Sequence, residues 1–176
     1  MRRGLAVGVL VLGLWQGHVW GQTGDQAEKD LAFAQGLYTQ QNYALAAEKF
    51  VAFAQRYPTH ANLSLVLFRA GECLYHANRF AEAEPYFQRL IQQFPQSAEE
   101  PLGNVWLGDT RFQLQRYAEA AQAYEHFLRE HPNHELAGHA AYWQGECYCN
   151  LGQYETAIAA YQQALHLDPE RDVIVS

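Results

Sequence analysis

Along most of the chain, apolar residues recur three and four positions apart, the spacing of one face of an α-helix. The pattern breaks at four short, mostly polar stretches: Gln40-Gln41-Asn42, Ala77-Asn78-Arg79, Leu114-Gln115-Arg116 and Leu151-Gly152-Gln153. Each break separates two helical segments. A proline closes the second segment of each pair, at Pro58, Pro95, Pro132 and Pro169. Proline lacks the amide proton and clashes with the preceding turn, so a helix stops before it. The pattern predicts an all-α chain of four helix-turn-helix units.

The units are copies of one another. Successive prolines lie 37 residues apart, and eight residues before each stands an aromatic: Phe50, Phe87, Tyr124 and Tyr161. Four positions earlier come Ala46, Ala83, Ala120 and Ala157; three earlier again come Tyr43, Phe80, Tyr117 and Tyr154. Twelve positions before each alanine stands a small residue: Ala34, Gly71, Gly108 and Gly145. Columns that agree in every row mark a tandem repeat, and a fixed period of this size marks a solenoid. The repeats cover about 27–60, 64–97, 101–134 and 138–171. The small residues are expected where paired helices approach within about 8–10 Å. Ser97 and Glu100 have capping-box spacing for the helix that follows. Pro85 falls inside a second helix, where it is expected to kink the helix or delay its start.

From Glu28 to Pro169 the order Gly…Tyr…Ala-x-x-x-Phe…Pro resembles the tetratricopeptide repeat family. The resemblance implies a right-handed superhelix whose first helices line a concave face that holds an extended peptide or a partner helix. The tryptophan expected early in each first helix is replaced by Asp30, Leu67, Asn104 and Ala141; Trp106 and Trp143 stand two positions later in their rows. The period exceeds the family's common ~34 residues, and the extra residues follow the proline. That longer form is similar to the repeats of bacterial envelope proteins, the outer-membrane assembly lipoprotein and the Tol-Pal cell-division coordinator. The first cysteine is Cys73, so the lipoprotein's cysteine behind the signal has no counterpart, and only Gln22–Asp25 stand where the coordinator carries its coiled coil. The resemblance implies a scaffold of that broad kind.

The first residues change the picture of where the chain works. Arg2 and Arg3 precede an apolar run, Gly4 to Trp15, and Val19-Trp20-Gly21 places short residues where a signal peptidase reads. Twelve apolar residues make a helix of about 18 Å, short of a ~30 Å bilayer core. Residues 1–21 are therefore expected to be a cleaved secretory signal, residues 22–176 the repeat domain, and the compartment the periplasm, without lipidation. Cleavage leaves ten Lys/Arg against nineteen Asp/Glu, a net charge near −9. Phosphate backbones and anionic membranes require clustered cations, so nucleic acid and membrane surfaces are not the expected partners.

Gly71-Glu72-Cys73 and Gly145-Glu146-Cys147 invite a redox or metal reading, with Cys149 close by. Repeat geometry weighs against it. Cys73 and Cys147 share a column two repeats apart, roughly 20 Å if each layer adds about one helix diameter, and a disulfide needs Cα atoms within about 7 Å. Cys147 and Cys149 lie about 200° apart around one helix. All three are expected to pack structurally, Cys149 being the candidate for an intermolecular link. His131, His134 and His139 are likewise expected to be positional, because Ser97 replaces His60 and His134 in one column. No metal, no cofactor and no catalytic set is expected.

The concave face carries the candidate binding residues. One column reads Leu31, Phe68, Val105 and Tyr142; the next Gln35, Glu72, Asp109 and Glu146; a third Tyr38, Tyr75, Phe112 and Cys149. Arg69, Trp106 and Trp143 flank them. The acids are expected to stand open between two apolar columns, because unpaired buried charge costs several kcal/mol. This predicts a protein partner with aliphatic or aromatic anchors and some positive charge, and no clamp for an acidic C-terminus. The alternative is a small molecule or glycan stacked on the aromatic stripe, with a thiol-bearing accessory subunit as a third reading. The fourth repeat ends near Pro169, and the seven residues after it cannot supply a full helix, so its outer face is expected to be covered by a partner or by a second copy, or the chain to be shorter than the original gene product.

Overall fold

The computed structural model describes residues 16–168, with side chains from Asp25 onward. Residues 1–15, which hold the apolar run read as a leader, and residues 169–176, which include Pro169, lie outside the described residues. The described chain forms eight helices and no strand: α1 (Gln16–Thr39), α2 (Tyr43–Arg56), α3 (Leu63–His76), α4 (Phe80–Gln93), α5 (Glu100–Gln113), α6 (Tyr117–Glu130), α7 (Ala137–Asn150) and α8 (Tyr154–Leu167). Each helix packs on its neighbours in sequence. In addition α3 touches α5 and α5 touches α7, while no comparable contact joins the even-numbered helices. The odd-numbered helices are thus crowded together on the inner, concave side of the stack.

One turn chemistry repeats at the end of every odd-numbered helix. Gln41, Asn78, Gln115 and Gly152 take positive φ angles of 57°, 58°, 59° and 72°. Their amides bond back to the carbonyls of Tyr38, Tyr75, Phe112 and Cys149. The amides one residue later reach Leu37, Leu74, Arg111 and Tyr148. This is the Schellman closure, which satisfies carbonyls that a helix end otherwise orphans. The polar breaks in the sequence are these turns, and three of the four place a side chain where glycine is least strained.

Within each pair, the small column lets an aromatic ring lie against helix backbone. A Cβ on Gly71 would stand 2.7 Å from the Phe87 ring, on Gly108 2.5 Å from Tyr124, and on Gly145 2.6 Å from Tyr161. All are closer than real Cβ contacts come. The alanine column, Ala46, Ala83, Ala120 and Ala157, is buried as well.

Two expectations change. Ser97 and Glu100 do not form a capping box. The Ser97 hydroxyl has no hydrogen-bond partner, and the Glu100 carboxylate turns to Asn104 and to His131 Nε2, the latter at 2.9 Å. Pro101 opens the helix instead, where no amide partner is needed. Pro85 does not delay its helix, since α4 begins at Phe80, in register with α2 and α6. His60 and His134 behave as positional residues: each Nδ1 accepts the backbone amide two residues on, at 3.2 and 3.1 Å, where the next helix starts.

The apolar core divides in two. One cluster runs from Ala27 to Leu107 and Ala123, the other from Val105 to Ala164. A polar seam joins the second repeat to the third. Glu84 of α4, 8% exposed, accepts from Arg111 of α5 at 2.9 Å and from Arg116 at 2.5 Å. Arg116 also pairs with Glu119.

Two substitutions in the third repeat should move stability in opposite directions. Gly108→Ala gains about 1 kcal/mol of helix propensity but drives a methyl into a buried ring, which costs about 1–3 kcal/mol; a net loss is expected in urea titration. Gln115→Gly relieves a left-handed strain of about 1–2 kcal/mol against a smaller unfolded-state entropy loss, so a gain of up to about 1 kcal/mol is expected.

Candidate functional site

The three inner columns divide by depth. Leu31, Phe68 and Val105 are 3%, 5% and 2% exposed, so that column backs the concave wall instead of forming it; only Tyr142 is partly accessible, packed on Tyr161 at 5.6 Å. Tyr38, Tyr75 and Phe112 are half-buried and line the face, and Cys149 is exposed. Trp106 meets Tyr75 edge-on at 5.0 Å and Phe87 at 6.2 Å. Trp143 meets Phe112 edge-on at 4.9 Å.

The acidic column is not an open ladder. Gln35 is exposed, but Glu72 is buried and Asp109 and Glu146 are half-buried. Each acid is satisfied from within. Tyr124 donates to Asp109 at 2.5 Å and Tyr161 to Glu146 at 2.7 Å, the same bond in successive repeats. Repeats one and two have Phe50 and Phe87 at the tyrosine position. There Glu72 instead accepts from Tyr38 at 3.0 Å and from Arg69 at 2.6 Å. Arg69 also donates to the Tyr38 hydroxyl at 2.7 Å, and its guanidinium lies 4.3 Å from the Tyr38 ring centre. Burial and Glu72 together push the Tyr38 phenol up to about 12. The positive charge beside the groove is thereby neutralised.

The Gly-Glu-Cys echo follows from this packing. The glycine admits the ring, the acid receives a tyrosine hydroxyl, and the cysteine is a small buried residue. Cys73 and Cys147 are fully buried free thiols, raised by burial to about 12, and so chemically quiet. Cys149 is a free, exposed thiol. No three His, Cys, Asp or Glu side chains converge as a metal site among the described residues.

Successive inner helices meet around one pocket. Tyr75 from α3, Asp109, Phe112 and Gln113 from α5, and His139 and Trp143 from α7 line a cavity of about 120 Å³, with Tyr124 of α6 beneath. Gln113 bridges to the Tyr75 hydroxyl at 3.4 Å. Four residues of the candidate columns and their flanks, Tyr75, Asp109, Phe112 and Trp143, come together here. Leu31, Gln35, Tyr38, Arg69 and Glu72 lie toward the other end, and Glu146 and Cys149 one repeat beyond. Gln113, Tyr124 and His139 were missed. Tyr124 had a signal: tyrosine replaces phenylalanine only in the rows whose acid it serves.

Burial dominates the electrostatics of this pocket. It raises the Asp109 carboxyl to about 6, and the Tyr124 hydrogen bond opposes the rise only in part. The folded value exceeds the unfolded 3.8, so the linked stability is complete below about pH 4 and is lost as pH rises through about 6. Asp109→Asn keeps an oxygen for Tyr124 and removes the buried charge. It should stabilise the protein at pH 7.5 by up to about 3 kcal/mol and flatten the pH dependence between about 4 and 6. Thermal melts across that range check both.

Solved structures share this architecture. MamA from Desulfovibrio magneticus RS-1, from residue 41 to its end, is 21% identical with a TM-score of 0.71, over 83% of this chain and 77% of that one. A tetratricopeptide repeat protein from Parabacteroides merdae ATCC 43184 is 16% identical with a TM-score of 0.70, over 82% of this chain and 54% of that one. At these identities the likeness concerns the fold alone. No curated protein matches the sequence. The tetratricopeptide repeat profile matches residues 31–98 and 107–172, well over half of the sequence and in phase with the helix pairs described above, and the chain belongs to the tetratricopeptide repeat family.

Proposed function

We propose that this chain is a non-catalytic periplasmic scaffold that holds an extended segment of a partner protein along its concave face. The observation that carries the reading is the convergence of Tyr75, Phe112 and Trp143, from three successive inner helices, on one partly open pocket. Half-buried aromatics around a small polar centre are the usual anchors of protein recognition. A glycan fits less well. The cavity, about 120 Å³, matches the end of a side chain more closely than a whole sugar ring, which could only stack across its mouth. The arginine pair ahead of the apolar run supports the periplasmic setting. The long repeat period supports a role in envelope assembly or cell-division coordination.

A photo-crosslinking residue in living cells tests the face used. Placed at exposed Gln35 or Gln113 of the inner helices, it should give adducts with a periplasmic protein. Placed at exposed Gln122 of α6, it should give few or none. Adducts from Gln122 alone, or with cytoplasmic proteins alone, would overturn the proposal.

The outer side of α8 supports self-association as well. Tyr154, Ile158 and Leu165 are 61%, 57% and 41% exposed, one helical stripe without cover among the described residues. Sedimentation should show a concentration-dependent dimer that Ile158→Asp shifts to monomer. A wild-type monomer at every concentration would remove this part of the proposal.

A further inference from the structure

We infer that the pocket over Asp109 is a socket for one basic side chain, lysine or arginine, presented by the partner segment. The inference rests on the concave-groove reading and specifies its central contact.

Three observations converge on a cation. First, the concave carboxylates are not equivalent. Glu72 is neutralised by Arg69, and the seam carboxylate Glu84 by Arg111 and Arg116. Asp109, like Glu146, has no lysine or arginine partner among the described residues and is bonded by a neutral tyrosine hydroxyl; of the two, only Asp109 lines this cavity. Second, the groups above it are rings. Tyr75, Phe112, His139 and Trp143 line the cavity, and the faces of tyrosine, phenylalanine and tryptophan rings attract cations, more so as water is excluded. Third, the space suits one side-chain end, and Gln113 at the rim offers a polar group to an extended stem.

The energetics favour occupancy. The protein carries a carboxylate in a site that resists charge, and an entering ammonium or guanidinium supplies the missing counter-charge where water screens it poorly. The other titratable groups facing Asp109 are Tyr75 from α3, Tyr124 from α6, and His139 and Cys147 from α7. Burial raises both phenols and the thiol, so these stay neutral below pH 8. Protonation of Asp109 removes the charge that the cation pairs with. Binding therefore tightens as pH rises through about 6.

A random dodecapeptide phage library, selected in parallel on the whole wild-type chain and on Asp109→Asn, tests the inference. Peptides enriched on the wild type should share a lysine or arginine. Replacing that residue by methionine should weaken binding about tenfold or more, Asp109→Asn should weaken the same peptides as much, and the two changes together should not add. Trp143→Ala should weaken them too. Asp109→Asn is expected to be the more stable protein, so its loss of binding is not a loss of fold. Selected peptides that bind the concave face but need no basic residue, or ignore Asp109→Asn, would overturn the socket and leave the groove standing. Failure to enrich any peptide, or enrichment of peptides that crosslink only to the Gln122 face, would overturn the groove and the socket with it.

Discussion

An aromatic ring laid flat on a stretch of helix that has no Cβ is the contact every later repeat depends on. Gly71 receives Phe87, Gly108 receives Tyr124 and Gly145 receives Tyr161, each too close for an alanine. The contact sets the distance between paired helices, and the Schellman turn sets their angle of return. Where the ring is a tyrosine, its hydroxyl emerges on the concave side and needs an acceptor, because a buried unpaired hydroxyl costs about 1–3 kcal/mol. The residue after the glycine supplies it, as Asp109 or Glu146. A packing requirement thereby places carboxylates in the floor of the groove.

That origin explains why the acids are half-sunk. A carboxylate selected only for a partner would sit at the rim, solvated. Asp109 sits low, with its charge resisted by burial. A carboxyl set in a cleft, with its charge resisted by burial, marks a candidate functional position. Glu72, in the same column, is closed off by Tyr38 and Arg69. One groove therefore contains a sealed polar centre at one end and an open one near its middle.

Most of the fold was legible in the residues. The 37-residue period, the turns, the prolines and the small column each followed from local rules repeated four times, and local rules are what a single sequence exposes. The site was legible in part. Tyr75, Asp109, Phe112 and Trp143, which share the pocket lining, stand out as candidates because they recur in columns. His139 and Gln113 do not, because their columns change character from row to row: Glu28, Leu65, Leu102 and His139 in one, Thr39, His76, Gln113 and Asn150 in the other. The open acidic ladder was misjudged for a related reason. Burial looked prohibitive for unpaired charge, but the partners lie fifteen residues away on another helix. Ser97 was misjudged as a cap because its spacing to Glu100 fits, while Asn104 and His131 compete for that carboxylate and win.

The seam between the second and third repeats carries a consequence for assembly. Near-identical units can stack in the wrong order during folding, a familiar hazard of repeat chains. Here the Glu84 charge is matched by Arg111 and Arg116. The corresponding places one unit later are Tyr148 and Gln153, neither of them cationic. A chain that skipped a unit would strand the Glu84 charge against a phenol and an amide. The salt bridges thus work as an address label as well as a join: they make the next unit along a worse neighbour than the right one.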